Sequence, residues 1–371
     1  MKRYRIALDA RMDKPWRTGL GRYARGLCDA LTRLDAPGIQ WVIIKHPTQE
    51  SVRFAAEGSD AQEVTVAGDL DTPANFLAAR ALNRLNLDLY HALENFVPPG
   101  LRARRIVITM HDLVYLDHPE LIVHSRWGAL QREGTRVFGV ATMRHALRRA
   151  NATITVSEAT RQAALARFSW LDPSTLRTIH HGVERQRFPQ RKGSEPAEPF
   201  FLSIGNSRPY KNFPVVIDAL ARTRDVRLEW IVAGRGDCYD ALAAHAQKLG
   251  VADRVRLLVK PTDATVLDLL HRARALVAPS LVEGFGFPLI EAMCAGCPVV
   301  ASDIPVFREV CRDAAWYVDP RDAAALATAL DRIACEPGLR QELRARGALR
   351  ADAFDWARTA AQTLDVYRSV L

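Results

Sequence analysis

No stretch of this 371-residue chain reaches the ~20 consecutive apolar residues that cross a bilayer, so no membrane span is expected. Met1-Lys2-Arg3 runs into a strand-like pattern and not into a long apolar segment, so no secretory signal and a cytoplasmic location are expected. Cysteine is sparse and scattered, at Cys28, Cys238, Cys294, Cys297, Cys311 and Cys335, which fits reduced thiols and excludes a disulfide framework. Cys294 and Cys297 have the spacing of a redox or zinc pair. No second pair accompanies them and Pro298 follows at once, so they read as packing thiols. No repeat joins the two halves, and no basic groove interleaved with aromatics marks a nucleic-acid site.

What is present is a soluble globular composition, 48% hydrophobic and 25% charged. The chain is too long for one ordinary core, and two α/β domains are the natural division. The net charge of +9 is uneven: residues 1–183 hold 25 Lys and Arg against 18 Asp and Glu, and the remainder holds 26 against 24. A basic first half points to anionic lipid headgroups ahead of nucleic acid, and peripheral contact with the cytoplasmic face of the inner membrane is expected through it.

In the first half, Arg5 to Ala10 reads as a strand, and Thr18-Gly19-Leu20-Gly21 leads into apolar residues at helical spacing (Leu20, Ala24, Leu27, Leu31, Leu34). The pair Gly19 and Gly21 lacks the third glycine of the dinucleotide fingerprint, which discounts an NAD site. Further strands are read at Ile39 to Lys45, Val64 to Val66, Leu87 to His91, Ile106 to Met110, Ala152 to Val156 and Leu176 to His180. Asp69-Leu70-Asp71 has the form of a metal-binding Asp-x-Asp, but Asp71 before Thr72-Pro73 reads better as a helix cap, and no metal is expected. Residues just past strand ends face the ligand crevice of an open parallel sheet, so His91, His111 and Asp112 are placed for function by topology.

The second half opens with Phe200 to Ile204, after which Arg208 and Lys211, next to Asn212, stand where cations would neutralise a diphosphate. The alternative is a solvated loop with a helix cap. Trp230 to Gly234 and Val255 to Val259, followed by Lys260-Pro261, are the next strands and turns. The most informative stretch runs from Ala275 to Val306. It reads as a strand to Pro279, a loop Val282-Glu283-Gly284-Phe285-Gly286-Phe287, a helix opened by Pro288, and a stop at Gly296. Free N–H groups and the helix dipole there would meet an anion. Glu283 and Glu291 bracket it, one in the loop and one expected on the first helical turn. Acids at a helix start can be merely stabilising, by a few tenths to about 1 kcal/mol each. Beside a phosphate they would be repelled unless they held hydroxyls, and they are read as hydroxyl binders.

Glu283-x7-Glu291 within EGFGFPLIEAM, followed by Gly296, Pro298-Val299-Val300 and Ser302-Asp303, resembles the nucleotide-sugar site of the retaining glycosyltransferases of the GT-B fold, family 4. The resemblance covers nearly all of the chain, most strongly Ile204 to Asn212 and Pro279 to Asp303. It implies an α/β architecture of two Rossmann-like domains facing each other across a cleft, with a C-terminal helix crossing back to the first and Trp356 as its anchor. The expected boundaries are 1–184 for the acceptor-binding domain, 185–198 for a linker, 199–354 for the nucleotide-sugar domain and 355–371 for the returning helix. The resemblance assigns the ribose to Glu291, and the donor sugar and diphosphate to Glu283 with Gly284, Phe285, Gly286 and Phe287. Gly19 and Gly21 approach acceptor and diphosphate, His111 and Asp112 lie by the sugar and acceptor, and Gly234 and Lys260 lie near the nucleotide. Lys211 and Asn212 match the family's pattern directly. Arg208 is separated from Lys211 by two residues where the family has them adjacent, and His181 stands where the family has Asn.

The implied activity is transfer of a hexose of mannose or glucose type from a nucleoside-diphosphate sugar to a glycan or lipid-linked glycan, in bacterial surface polysaccharide synthesis. The departing phosphate itself is expected to take the acceptor proton, with His111, Asp112, Lys211 and Glu283 as catalytic residues and no cofactor or metal. A same-fold epimerase or hydrolase, and an inactive donor-binding partner subunit, are the rival readings.

Overall fold

The computed structural model describes residues 3–12, 19–68, 70, 75–121, 128–191, 200–206, 208–225, 229–234 and 239–371. The chain divides into two compact units. The first is Met1–Pro119 with Val123–Val183 and Phe354–Leu371, and the second is Glu184–Ala353 with Glu120–Ile122.

The first unit is built on β1 (Tyr4–Asp9), β2 (Ile39–Lys45), β3 (Gln62–Thr65), β4 (Leu89–Ala92), β5 (Arg105–Met110), β6 (Ala152–Thr155) and β7 (Leu176–Thr178). They form one seven-stranded sheet in the order β3-β2-β1-β4-β5-β6-β7, and each neighbouring pair is parallel. A parallel sheet is covered on both faces, and the inner strands β1, β4, β5 and β6 are largely buried, while the edge strand β3 has no buried residue. In β1, the four residues Ile6 to Asp9 are all buried. Ile106, Ile108, Tyr90 and Val42 anchor the core of this unit.

The second unit repeats the plan with β8 (Phe200–Ile204), β9 (Glu229–Gly234), β10 (Val255–Val259), β11 (Ala275–Ala278), β12 (Val299–Ser302) and β13 (Trp316–Val318). Their order is β10-β9-β8-β11-β12-β13, again parallel at every step. Its core is separate and centres on Phe201, Trp230 and Val300. In each sheet the strand order reverses once, between β1 and β4 and between β8 and β11. At such a point, connections leave neighbouring strands towards opposite faces and open a crevice at the carboxyl ends.

The C-terminal helix Trp356–Val370 belongs to the first unit and packs on the helix Gly19–Arg33. Asp355 caps it through Ala357 N, at 3.1 Å, and Thr359 Oγ1 donates to His180 O at 2.8 Å. Trp356 is seated where two glycines make room. A Cβ on Gly26 would lie 2.2 Å from its ring, and one on Gly182 would lie 2.4 Å from its backbone nitrogen. Ser157 caps Glu158–Arg167 by accepting from Thr160 N at 3.0 Å.

The segment expected as a linker, 185–198, is described up to Arg191. Arg191 N donates to Ala295 O at 3.1 Å, Arg191 also donates to His271 O at 3.1 Å, and His271 Nε2 donates to Pro189 O at 2.8 Å. Pro189 and Arg191 are therefore hydrogen-bonded within the second unit, to which they belong. Residues 192–199, Asp69 and Asp71 lie outside the described residues.

Gly26→Ala is expected to destabilise the protein by about 1–3 kcal/mol in urea unfolding, since a methyl group would have to displace a packed indole. The control is Gly134→Ala, on an exposed helical site with nothing within 4 Å of the new Cβ. That change should be stabilising by about 0.5–1 kcal/mol. Equal effects of the two would show that Trp356 does not occupy this seat.

Candidate functional site

At the strand reversal of the second unit, the chain leaving β8 makes a single helical turn at Pro209–Lys211. Lys211 Nζ donates to Glu283 Oε1 at 2.5 Å, across 72 residues of sequence. Ser280 Oγ donates to the same oxygen at 2.9 Å. Among the described residues Oε2 of Glu283 accepts no hydrogen bond, and it is not among the unpartnered buried atoms, so it remains accessible. Lys211, Ser280 and Glu283 line one pocket together with Phe213, Leu289 and Phe307. Apolar walls strengthen the field of the few charges they surround. Both members of the ion pair are mostly shielded, with 14% and 13% of their side chains exposed.

The loops carrying these groups are tied to each other. Leu281 N donates to Tyr210 O at 2.8 Å. Asn212 adopts the left-handed conformation at φ +54°, and its Nδ2 donates to Pro279 O at 3.1 Å and to Pro320 O at 2.7 Å. Both amide protons are thus committed, and Asn212 serves as a strut between loops where a donor contact was expected. Gly234 also takes a supporting place. A Cβ there would lie 1.7 Å from Gly205 O, so the glycine lets the post-β8 backbone pass, and Gly205 in turn borders the Lys211 stem. Lys260 is exposed at φ +52°, with its N–H on Gly234 O at 2.7 Å. The Arg208 side chain is exposed.

The helix after the loop runs Phe287–Ala295, with Gly286 as its N-cap at φ +104° and Gly296 as its C-cap. It starts one residue before Pro288, and no acid lies in its first turn. Glu291 is its fifth residue and is 1% exposed, one residue further from the helix start than a beginning at Pro288 would place it. Gly284, Phe285 and Phe287 are buried, and the two rings meet edge-on at 5.7 Å. Cys294 and Cys297 are buried thiols whose pKa values burial pushes up to about 11 and about 12, which keeps them protonated and inert.

In the first unit, His111 follows β5 and is buried. Its Nε2–H donates to Leu93 O at 2.8 Å, which fixes the tautomer and leaves Nδ1 as the acceptor. Burial lowers its pKa to about 4, so it is a neutral hydrogen-bonding group and too weak a base to hold a proton at neutral pH. Tyr23 stands edge-on to it at 4.9 Å and lies 4.6 Å from His181. Trp356 closes the cluster 6.4 Å from His181, whose pKa burial also depresses. His91 is a structural histidine: it bonds Tyr367 at 2.6 Å and Thr109 at 2.8 Å, fully buried, with a pKa lowered to about 3 by burial. Asp112 Oδ1 accepts from Val114 N at 3.0 Å and starts the short helix Val114–Asp117. Gly19 and Gly21 are the first and third residues of the helix Gly19–Arg33, not parts of the preceding loop, because the helical pattern already includes them.

One polar cluster escaped the sequence reading. At the end of β1, Arg11 grips Asp9 through Nε to Oδ1 at 2.9 Å and through its second nitrogen to Oδ2 at 2.6 Å. It also reaches Gly68 O at 3.0 Å and Asn75 Oδ1 at 3.1 Å, while Tyr90 donates to Asp9. The signal was an acid closing a buried run at the strand's last residue.

Two family models match this chain. One described as Glycosyltransferase Family 4 covers residues 17–187, and one described as Glycosyl transferases group 1 covers residues 184–350. The chain is 30% identical over 230 residues to the O-antigen chain mannosyltransferase RfbU of Salmonella typhimurium, covering 62% of this chain and 61% of that protein. It is 35% identical over 190 residues to the phosphatidyl-myo-inositol mannosyltransferase of Mycobacterium leprae, covering 49% of this chain and 50% of the relative. The matches therefore span about half to three-fifths of these relatives. Among solved structures, the sucrose-phosphate synthase of Thermosynechococcus elongatus superposes with a TM-score of 0.78 at 23% identity, covering 99% of both chains. WaaG, a glycosyltransferase involved in lipopolysaccharide biosynthesis, gives 0.74 at 17% identity, covering 97% and 99%. Anabaena HepE in complex with UDP-glucose gives 0.71 at 17% identity, covering 98% and 99%. At these identities the likeness is one of fold.

The buried imidazoles make a stability prediction. Their folded pKa values lie below the unfolded value of 6.5, so below 6.5 the unfolded chain binds protons the folded one refuses. Stability is fully present above about pH 6.5 and falls as the pH drops towards 4. The melting temperature should decline over that window, and His91→Gln should flatten the decline. An unchanged slope in His91→Gln would refute the assignment.

Proposed function

Because the chain belongs to the glycosyltransferase family 4 and glycosyl transferases group 1 families and has their two-domain α/β, GT-B-like fold, we propose that it transfers a hexose from a nucleoside-diphosphate sugar to a glycan or lipid-linked hydroxyl, with retention at the anomeric carbon and without a metal. The observation that carries this reading is the pairing of Lys211 with Glu283 at the strand reversal of the second unit. A cation there meets the diphosphate, and a carboxylate with one accessible oxygen meets sugar hydroxyls.

In the proposed step, the bond from the anomeric carbon to the phosphate oxygen breaks as the bond to the acceptor oxygen forms on the same face. The acceptor proton passes to the leaving phosphate oxygen, so no protein base is needed. This accords with His111, held neutral and engaged with Leu93 O. Charge growing on the phosphate is met by Lys211 and by the backbone N–H groups where the helix Phe287–Ala295 begins, with Arg208 close in sequence as a further cation. Glu291, in the helix interior, is assigned to the ribose.

Mannose and glucose are the favoured sugars, since the relatives include mannosyltransferases and HepE is seen with UDP-glucose. Relatives acting on O-antigen chains and in lipopolysaccharide synthesis favour a surface polysaccharide precursor as acceptor. No helix among the described residues is long and apolar enough to cross a membrane. We assign the protein to the cytoplasmic face of the inner membrane. The basic first unit supports this, together with the exposed apolar side chains Tyr115, Val137 and Phe138.

Lys211→Ala should lower turnover about tenfold or more, and Glu291→Ala should weaken donor binding, each with an unchanged circular dichroism spectrum. A thermal-shift screen of nucleotide sugars identifies the donor, since binding raises the melting temperature by mass action. Unaltered kinetics in both variants, or release of nucleoside diphosphate without any need for acceptor, would overturn the assignment.

A further inference from the structure

The pairing of Lys211 with Glu283 has an energetic consequence for what the site releases. Oε1 of Glu283 takes both the ammonium of Lys211 and the hydroxyl of Ser280. A diphosphate arriving at Lys211 competes for that ammonium, and Glu283 then needs other donors. Sugar hydroxyls supply them at Oε2, the oxygen with no hydrogen bond among the described residues. A nucleoside diphosphate that has lost its sugar supplies none. It also brings an additional negative charge, through a terminal phosphate whose second ionisation lies near pH 6, close to a carboxylate whose compensating cation it has drawn away. A mostly shielded carboxylate left with the neutral Ser280 hydroxyl and no cation is unfavourable.

We infer that Glu283 is a selectivity residue that disfavours the spent nucleoside diphosphate relative to the sugar-loaded donor, and that Ser280 is the positioning residue that presents its free oxygen. Ser280 is 2% exposed and lies just past β11, three residues before Glu283. Its hydroxyl holds the carboxylate whether or not Lys211 is engaged elsewhere. Gly205 leaves room for the lysine stem, since a Cβ there would lie 3.3 Å from Lys211 Cε. The arrangement turns loss of the sugar into loss of affinity, which speeds product departure after each transfer.

The inference rests on the glycosyltransferase reading, and its test separates the two. Isothermal titration without acceptor measures GDP against GDP-mannose and UDP against UDP-glucose, in the wild type and in Glu283→Gln, which keeps the side-chain shape and removes the charge. The expected result is that the variant binds the bare nucleotide more tightly and narrows the ratio of the two dissociation constants tenfold or more, while turnover falls. A ratio within threefold of the wild type, or weaker nucleotide binding, would overturn the inference and leave the glycosyltransferase reading intact. Failure of the wild type to bind any of the four ligands would overturn both. Ser280→Ala gives an independent arm: kcat should fall with little change in KM, and Ser280→Thr should restore it. A loss that threonine does not restore, at unchanged melting temperature, would remove Ser280 from the positioning role.

Discussion

The reversal of strand order between β8 and β11 is the constraint on which the second unit's chemistry depends. Parallel pairing delivers every strand's carboxyl end to one edge, and only where the order reverses do neighbouring connections part and leave room above the sheet. Lys211 arrives from one side of that gap and Glu283 from the other, which is how groups far apart in sequence come within hydrogen-bond reach. Two further contacts keep them there. The Asn212 amide spans to the carbonyls of Pro279 and Pro320, and Leu281 N closes onto Tyr210 O. Loops held at both ends lose little further entropy when a ligand binds, which is the physical content of a preformed site.

The inner strands were legible because burial on both faces leaves few polar positions to interrupt an apolar run, and because glycine and proline punctuate the exits. Lys211 and Glu283 were legible for the complementary reason: a charge immediately past such a run stands at the functional edge. Other features carry no one-dimensional trace. Nothing near Gly234 in the sequence announces that Gly205 O will pass within van der Waals contact of it. Nothing in Asn212 distinguishes a ligand contact from a strut, since the difference lies in carbonyls about 70 and about 110 residues away. Glu291 was placed too near the helix start because the helix begins with Phe287 and not with Pro288. The Asp9–Arg11 cluster was passed over because charges at a strand end ordinarily read as solvated, whereas Tyr90, Asn75 and Gly68 close over these two.

The first unit handles polarity by neutralising it. His91, His111 and His181 are all buried, and burial holds each uncharged. Thr109 sits between His91 and Tyr23 at 2.8 Å from each, so the imidazole hydrogen bonds form a network rather than isolated pairs. Networks of that kind favour one arrangement of tautomers and rings. His111 thereby presents an acceptor whose orientation is set from behind by Leu93 O and from the flank by Tyr23. The returning helix takes part through Tyr367 and Trp356, which makes the end of the chain a component of the first unit's interior.

Burial decides what each ion pair can do. The Asp9 and Arg11 side chains are 1% and 0% exposed, and Arg11 keeps its charge against burial because Asp9 lies against it. Separating such a pair costs about 3–5 kcal/mol, because the remaining charge has no water to turn to. That pair can hold a strand end to the segment around Gly68 and Asn75, but it cannot exchange partners during a reaction cycle. Lys211 and Glu283 retain 14% and 13% exposure and share a pocket with accessible polar atoms. Each can leave the other when a phosphate or a hydroxyl takes its place. The same chemical pair is a fastening in one unit and an exchangeable contact in the other, and the difference lies in a small fraction of exposed surface.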